Sequence, residues 1–136
     1  MQGFLSNQAQ VGRFSCFDSA VGLVEGRMSL DTSADSVQTR THRSDEGEIQ
    51  CVSFARAVAK LGGTVDLVKL DCEGAEWEIL KDEKTWQNVR HLTMEFHLWA
   101  GYTLEELKAR VTQLGFKVQY CALSGKDFGL LTAGRI

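Results

Sequence analysis

Eleven consecutive residues hold most of the chemistry in this chain: Asp66-Leu67-Val68-Lys69-Leu70-Asp71-Cys72-Glu73-Gly74-Ala75-Glu76. A largely apolar run ends there and releases Asp71, Glu73 and Glu76 around one glycine. In open α/β sheets, ligands bind beyond the carboxyl ends of the strands, and Asp71 and Glu73 stand at such an end. Glu73 and Glu76 also fall at the start of the next expected helix, where the dipole favours negative charge. Capping is therefore the plain alternative to a site. Lys69 interrupts the apolar run on the same face as Asp71. A lysine in a covered strand needs a partner, because desolvating it costs several kcal/mol. Either it forms a buried ion pair with Asp71 or Glu95, or it steers an anionic or hydroxyl substrate. Glu95 and His97 share one face of the strand expected over 91–97. If that strand lies beside 65–71, both ends meet at one cleft, and His97 can serve as general base for a hydroxyl. A carboxylate and an imidazole also suit a metal ion, but no second histidine stands at ligand spacing, and no metal site is assigned. His42 and His91 receive no role.

The elements that position these residues follow from patterning. Residues 13–18 read as a strand, and a second runs from Gly26 through Met28 and Leu30, the two forming a hairpin across Gly22 to Gly26. Residues 31–48 are polar and mixed, with Val37 as the one large apolar side chain, and are expected to form an exposed loop or excursion. Ile49 to Val52 is strand-like. Ser53 caps a helix carrying Phe54, Val58 and Leu61, which Gly62-Gly63 stops. The run 65–70 suits a parallel strand covered on both faces. A short helix over 74–81 and a strand over 91–96 follow. Thr103-x-x-Glu106 is a capping box, and Leu104, Leu107, Val111 and Leu114 line one helical face up to Gly115. Strands at 116–120 and 128–132 close the chain, antiparallel because residues 123–127 are too short for a crossover. The alternation implies a mainly parallel α/β sheet.

With 136 residues, the chain makes one domain, 1–136. It is 43% hydrophobic and 24% charged, with 15 Lys and Arg against 18 Asp and Glu. That balance excludes disorder and gives no electrostatic footprint for nucleic acid or a membrane surface. No run approaches a membrane span, and the N-terminus has no signal-peptide core, so a cytoplasmic location is expected. Cys16, Cys51, Cys72 and Cys121 form no C-x-x-C pair and read as buried free thiols. Trp77, Trp86 and Trp99 read as packing residues.

The pattern Asp66-x-x-Lys69-x-Asp71-x-Glu73-Gly74-x-Glu76, followed by Trp77-Glu78-Ile79-Leu80, resembles the signature of the FkbM family of S-adenosylmethionine-dependent methyltransferases. Asp18-Ser19-Ala20-Val21-Gly22 resembles that family's turn after its third strand. The resemblance implies a Rossmann-like class I methyltransferase sheet with an antiparallel last strand. It implies Asp18 as acceptor for the adenine amino group, Ser19 beside the adenine ring, and Asp71 and Glu73 near the cofactor's methionine end. It implies transfer of the sulfonium methyl, most simply to a hydroxyl of a small molecule or sugar. Glu95 and His97, from their place at the next strand end and not from the resemblance, are the candidates for orienting or deprotonating the acceptor.

The chain departs from that pattern in having no Gly-x-Gly loop and no room before Phe14 for two strands and two helices. Met1 to Val11 reads as the tail of the helix before the third strand. The expectation is a C-terminal portion of the domain, with weak or absent cofactor affinity. The 65–71 strand would then keep a bare edge that recruits a second copy, giving a homodimer. Three readings follow: a methyltransferase completed elsewhere, a non-catalytic binding or assembly module on the same fold, and a metal-dependent hydrolase using Asp71, Glu73 and His97.

Overall fold

The computed structural model describes residues 16–31 and 40–135. Two four-stranded sheets form, and short connections decide most of their pairings. In the first, the order is β1-β4-β2-β3. It is built from β1 (Ala20–Gly22), β2 (Gly26–Asp31), β3 (Arg40–Arg43) and β4 (Ile49–Ser53). In the second, the order is β5-β6-β8-β7. Its strands are β5 (Val65–Leu70), β6 (Val89–His97), β7 (Lys117–Leu123) and β8 (Phe128–Gly134).

The expectation of a mainly parallel sheet is corrected. The α/β arrangement is mixed: β1·β4 and β5·β6 are parallel, while β2·β3, β2·β4, β6·β8 and β7·β8 are antiparallel. The reason is chain economy. Four residues between β7 and β8 permit only a hairpin, so β8 turns back and lies between β6 and β7.

Three smaller expectations change with it. Of the strand expected over 13–18, residues 13–15 lie outside the described residues, and Cys16 to Asp18 are irregular; the strand begins at Ala20. The helix tail expected over Met1 to Val11 also lies outside them. β1 and β2 do not form a hairpin, because β4 sits between them. The polar stretch 31–48 contributes β3, which pairs with β2 in register Met28↔Arg43.

Local signals elsewhere act as read. The Ser53 side chain accepts from Arg56 N at the start of α1 (Phe54–Lys60). Thr103 and Glu106 form a reciprocal capping box on α4 (Leu104–Gln113). The region expected as one helix over 74–81 is shorter, α2 (Glu76–Ile79), and is followed by α3 (Glu83–Trp86), capped by Asp82.

The helices cover one face of the second sheet only. Leu70, Leu92, Met94, Phe96, Leu131 and Ala133 turn to that face and join Phe54, Val58, Ile79, Trp86, Leu107 and Val111 in a single core. Coverage of β5 on both faces is therefore overturned. Leu67 is 57% exposed, since β5 is an edge strand and its other face has no helix against it among the described residues. Arg135 closes the bottom of this core. Its guanidinium donates to the carbonyls of Trp86, Val89, Leu114 and Gly115 and lies 4.4 Å over the Phe116 ring. A cation at the carboxyl ends of α3 and α4 also meets the negative ends of both helix dipoles.

Candidate functional site

The carboxyl ends of the parallel pair β5 and β6 lie side by side, with Leu70 opposite Met94. β5 runs out at Leu70, and two left-handed residues then turn the chain: Glu73 at φ 50° and Gly74 at φ 101°. A side chain at Gly74 would strike the indole of Trp99, so glycine is needed for both conformation and space. The left-handed backbone at Glu73 costs about 1–2 kcal/mol for a residue with a Cβ.

This turn brings three carboxylates to one imidazole. His97 Nδ1 lies 3.2 Å from Glu76 Oε1. His97 Nε2 lies 3.5 Å from Glu73 Oε2 and 3.7 Å from Glu95 Oε1. Glu76 is 0% exposed and the His97 side chain 7%. The N-cap of α2 is Ala75, with no side-chain cap, so the capping account does not explain Glu76. In the tautomer in which Nδ1 donates to Glu76, the Nε2 lone pair faces outward. Glu76 Oε2 has no hydrogen-bond partner among the described residues.

Aromatic side chains surround the backbone and one side of the imidazole of His97. Trp77 Nε1 donates to the His97 carbonyl at 2.8 Å, and Trp77 stacks on Tyr102 at 3.9 Å. Trp99 packs against the His97 ring at 4.6 Å between centroids, with Phe128 beyond it at 6.3 Å. A cavity of about 360 Å³ opens beside Nε2, lined by Glu73, Glu95, Trp99, Lys126, Asp127 and Phe128. A larger one, about 540 Å³, lies between the two sheets. Cys72 to Ala75 form one of its walls, with Val21, Leu23, Val24 and Met28 opposite.

The structure gathers some of the residues singled out in the sequence and separates others. Glu73, Glu95 and His97 come together. Lys69 does not need the buried partner expected of it: its side chain is 67% exposed, and it pairs with Asp71 at 2.8 Å. That hydrogen bond, with Coulombic help from Asp71 and Glu95, raises the ammonium pKa. Ser19 lines a third cavity with Phe17, Val52, Lys60 and Leu61, away from Glu73. Asp18 is exposed and lines none of these three cavities. Sequence reading missed Glu76 as the partner of His97, and Trp99 as a wall of both site cavities. No local spacing signals Glu76, because its direction is set by the left-handed turn at Glu73 and Gly74.

The family model described as Methyltransferase FkbM domain matches residues 8–118. The chain belongs to the FkbM methyltransferase family. No curated protein and no solved structure matches it significantly. The match places the family's sequence pattern over β1 to β6 and α4, including every member of the His97 cluster. In this FkbM-type domain, no described helix is long and apolar enough to cross a membrane.

Two expected results arise from the turn. Gly74→Ala should destabilise the domain by about 1–3 kcal/mol, through the left-handed strain and the clash with Trp99. Urea unfolding measures it, and the Trp99 contribution to the fluorescence spectrum should shift with it. Cys72, next in the turn, has its thiol pushed up to about 12, first by burial and then by the charges of Glu76 and Asp71. The thiolate is the reactive form, so alkylation of Cys72 at pH 8 should run at least about a hundredfold slower than for a free cysteine thiol. Mass mapping after iodoacetamide treatment reads this directly.

Proposed function

We propose that this chain forms the acceptor side of an S-adenosylmethionine-dependent O-methyltransferase, acting on a small-molecule or sugar hydroxyl. The observation that carries the reading is the Glu76–His97 pair, a buried carboxylate on one nitrogen and an open cavity beside the other. It stands at paired strand ends in a domain of a methyltransferase family. His97 Nε2 accepts the acceptor proton, and Glu76 holds the ring in the tautomer that can do so. Glu95, on the cavity wall, orients the hydroxyl. Lys69 and Asp71 form a charged pair at the neighbouring edge, where they steer a polar acceptor.

The fit to the cofactor is one-sided. The cavity walled by Cys72 to Ala75 and by Val21, Leu23, Val24 and Met28 is of suitable size, with Arg43, Glu73 and Glu78 as its charged lining. The chain offers no Gly-x-Gly loop of backbone N–H groups for the methionine carboxylate. When bound, the cofactor supplies an electrophilic methyl group. In this reading Glu73 faces its methionine end, while Asp18 and Ser19, outside this cavity, reach its adenine only if the segment before β1 closes over the slot.

The test is a titration with S-adenosylhomocysteine followed by amide NMR. The reading expects weak binding, with shifts at Glu73, Gly74 and Ala75 that Glu73→Ala diminishes. No shift at millimolar ligand would sink the cofactor assignment.

A second reading rests on a separate observation. β5 is an edge strand with Leu67 exposed at its centre, and nothing pairs with its outer side among the described residues. Edges of this kind recruit another chain. A non-catalytic homodimeric module would use this edge. Sedimentation equilibrium at high micromolar concentration should then give a dimer that Leu67→Lys converts to monomer. A monomeric wild-type mass would count against it.

A further inference from the structure

Nε2 of His97 and one carboxylate oxygen each from Glu73 and Glu95 lie within 4.8 Å of one another. Their spacing is wrong for hydrogen bonds and right for something between them. An N–H donor and a carboxylate settle at about 2.7–2.9 Å when charge-assisted. Here the separations from Nε2 are 3.5 Å and 3.7 Å. Ligand atoms around a tetrahedral ion with bonds of about 2.1 Å stand about 3.4 Å apart.

A second observation points the same way. The His97 ring is more than nine-tenths buried and aims Nε2 into the gap, while its other nitrogen is held by the fully buried Glu76. Metal-bound imidazoles almost always carry such an outer carboxylate or carbonyl partner, which sets the tautomer. Glu73 enters the gap from a left-handed backbone, one of two such non-glycine positions among the described residues, the other being Ala100 beside Trp99.

We infer that Glu73, Glu95 and His97 Nε2 bind a divalent transition ion, with Glu76 as the outer partner of the histidine. One nitrogen and two carboxylates lie between the hard oxygen sets of magnesium or calcium and the nitrogen-rich sets of zinc, so zinc or manganese is the class expected. Three protein ligands leave coordination positions open toward the cavity lined by Trp99, Lys126 and Asp127. An oxygen ligand, such as a substrate hydroxyl or a water, completes the shell there.

The ion and a proton compete for the same lone pair. The inference would replace the proton step of the methyl-transfer reading, but it is tested independently of it, as ion binding by the chain itself. Its failure leaves His97 as the base. Its success moves ionisation of the hydroxyl to the bound ion.

The experiment is calorimetric titration of the metal-stripped chain with zinc and with manganese, with magnesium and calcium as comparisons. One equivalent should bind, at least tenfold more tightly for zinc or manganese than for magnesium or calcium. Glu73→Gln and Glu95→Gln should each weaken binding at least tenfold, and Glu76→Gln by 10- to 100-fold, the usual loss for an outer partner. His91→Ala, at an exposed position, should leave it unchanged. Glu73 and Glu95 are partly exposed, so their glutamine variants keep the fold if His97→Ala does not. Manganese should also broaden the amide signals of Gly74 and His97 before others. Absence of binding, or binding that survives both glutamine variants, overturns the site.

Discussion

With His97 as the proposed base for methyl transfer, Glu76→Gln should lower that activity by about 10²–10⁴-fold, the range a positioned general base contributes. Glutamine keeps the length and the carbonyl that can accept from His97 Nδ1, so the ring stays near its place. What goes is the negative charge behind it. An imidazole that accepts a proton becomes a cation, and the buried carboxylate 3.2 Å from Nδ1 is the group that offsets that charge. The glutamine amide can also rotate and donate to Nδ1, which selects the wrong tautomer. The loss should appear in kcat, with the acceptor KM little changed, because Glu76 touches no substrate. Initial rates with labelled cofactor, in a preparation shown to bind it, make the measurement. Nitrogen NMR of the histidine ring gives a check that needs no turnover: Nδ1 should carry the proton in the parent chain, and the tautomer ratio should change in the variant. An unchanged kcat would reduce Glu76 to a packing role.

Trp86→Ala should destabilise the domain by about 3–5 kcal/mol, the usual cost of removing a large buried aromatic. Trp86 is wholly buried between Phe54 at 4.6 Å and the edge of Phe116 at 5.8 Å. Its Nε1 donates to the Ile79 carbonyl at 2.9 Å, so truncation opens a cavity and strands a buried acceptor together. Domains hold about 5–15 kcal/mol in all, so this one change removes a large share. Urea denaturation should show a lower midpoint with a similar slope. Trp77→Phe is the useful contrast: it loses the bond to the His97 carbonyl but keeps most of the stacking on Tyr102. It should cost much less stability while disturbing the site.

What was legible in the sequence was local. Ser53, the Thr103 capping box, the Gly62-Gly63 stop and the β7–β8 hairpin each depend on residues within a few positions of one another, and each formed. What failed depended on partners distant in the chain. β5 reads as doubly covered because Val65, Leu67, Val68 and Leu70 are all apolar, yet only Leu70 is buried. Coverage of the other side is a property of what packs there, not of the strand. β1 and β2 look like a hairpin because a glycine-flanked turn joins them, but β4, from more than twenty residues further on, enters between them. The site divides in the same way. Glu73, Glu95 and His97 were found because strand ends converge. Glu76 was missed because its partner lies 21 residues away and its direction depends on two left-handed residues that no pattern announces.

β8 is the last strand in the chain and an inner one in its sheet, bonded to β6 along one side and β7 along the other. The order of synthesis and the order of assembly therefore conflict. As the chain leaves the ribosome, β6 and β7 must wait, each with an open edge, until residues 128–134 emerge to join them. Contacts between distant parts of a chain also form slowly. Until β8 joins, Met94 and Phe96 of β6 lack the β8 residues that cover that edge, and exposed apolar strand edges of this kind aggregate or engage chaperones. A version ending before Phe128 would keep α4 packed on the core but lose the strand that joins β6 to β7, leaving both of them with an open edge.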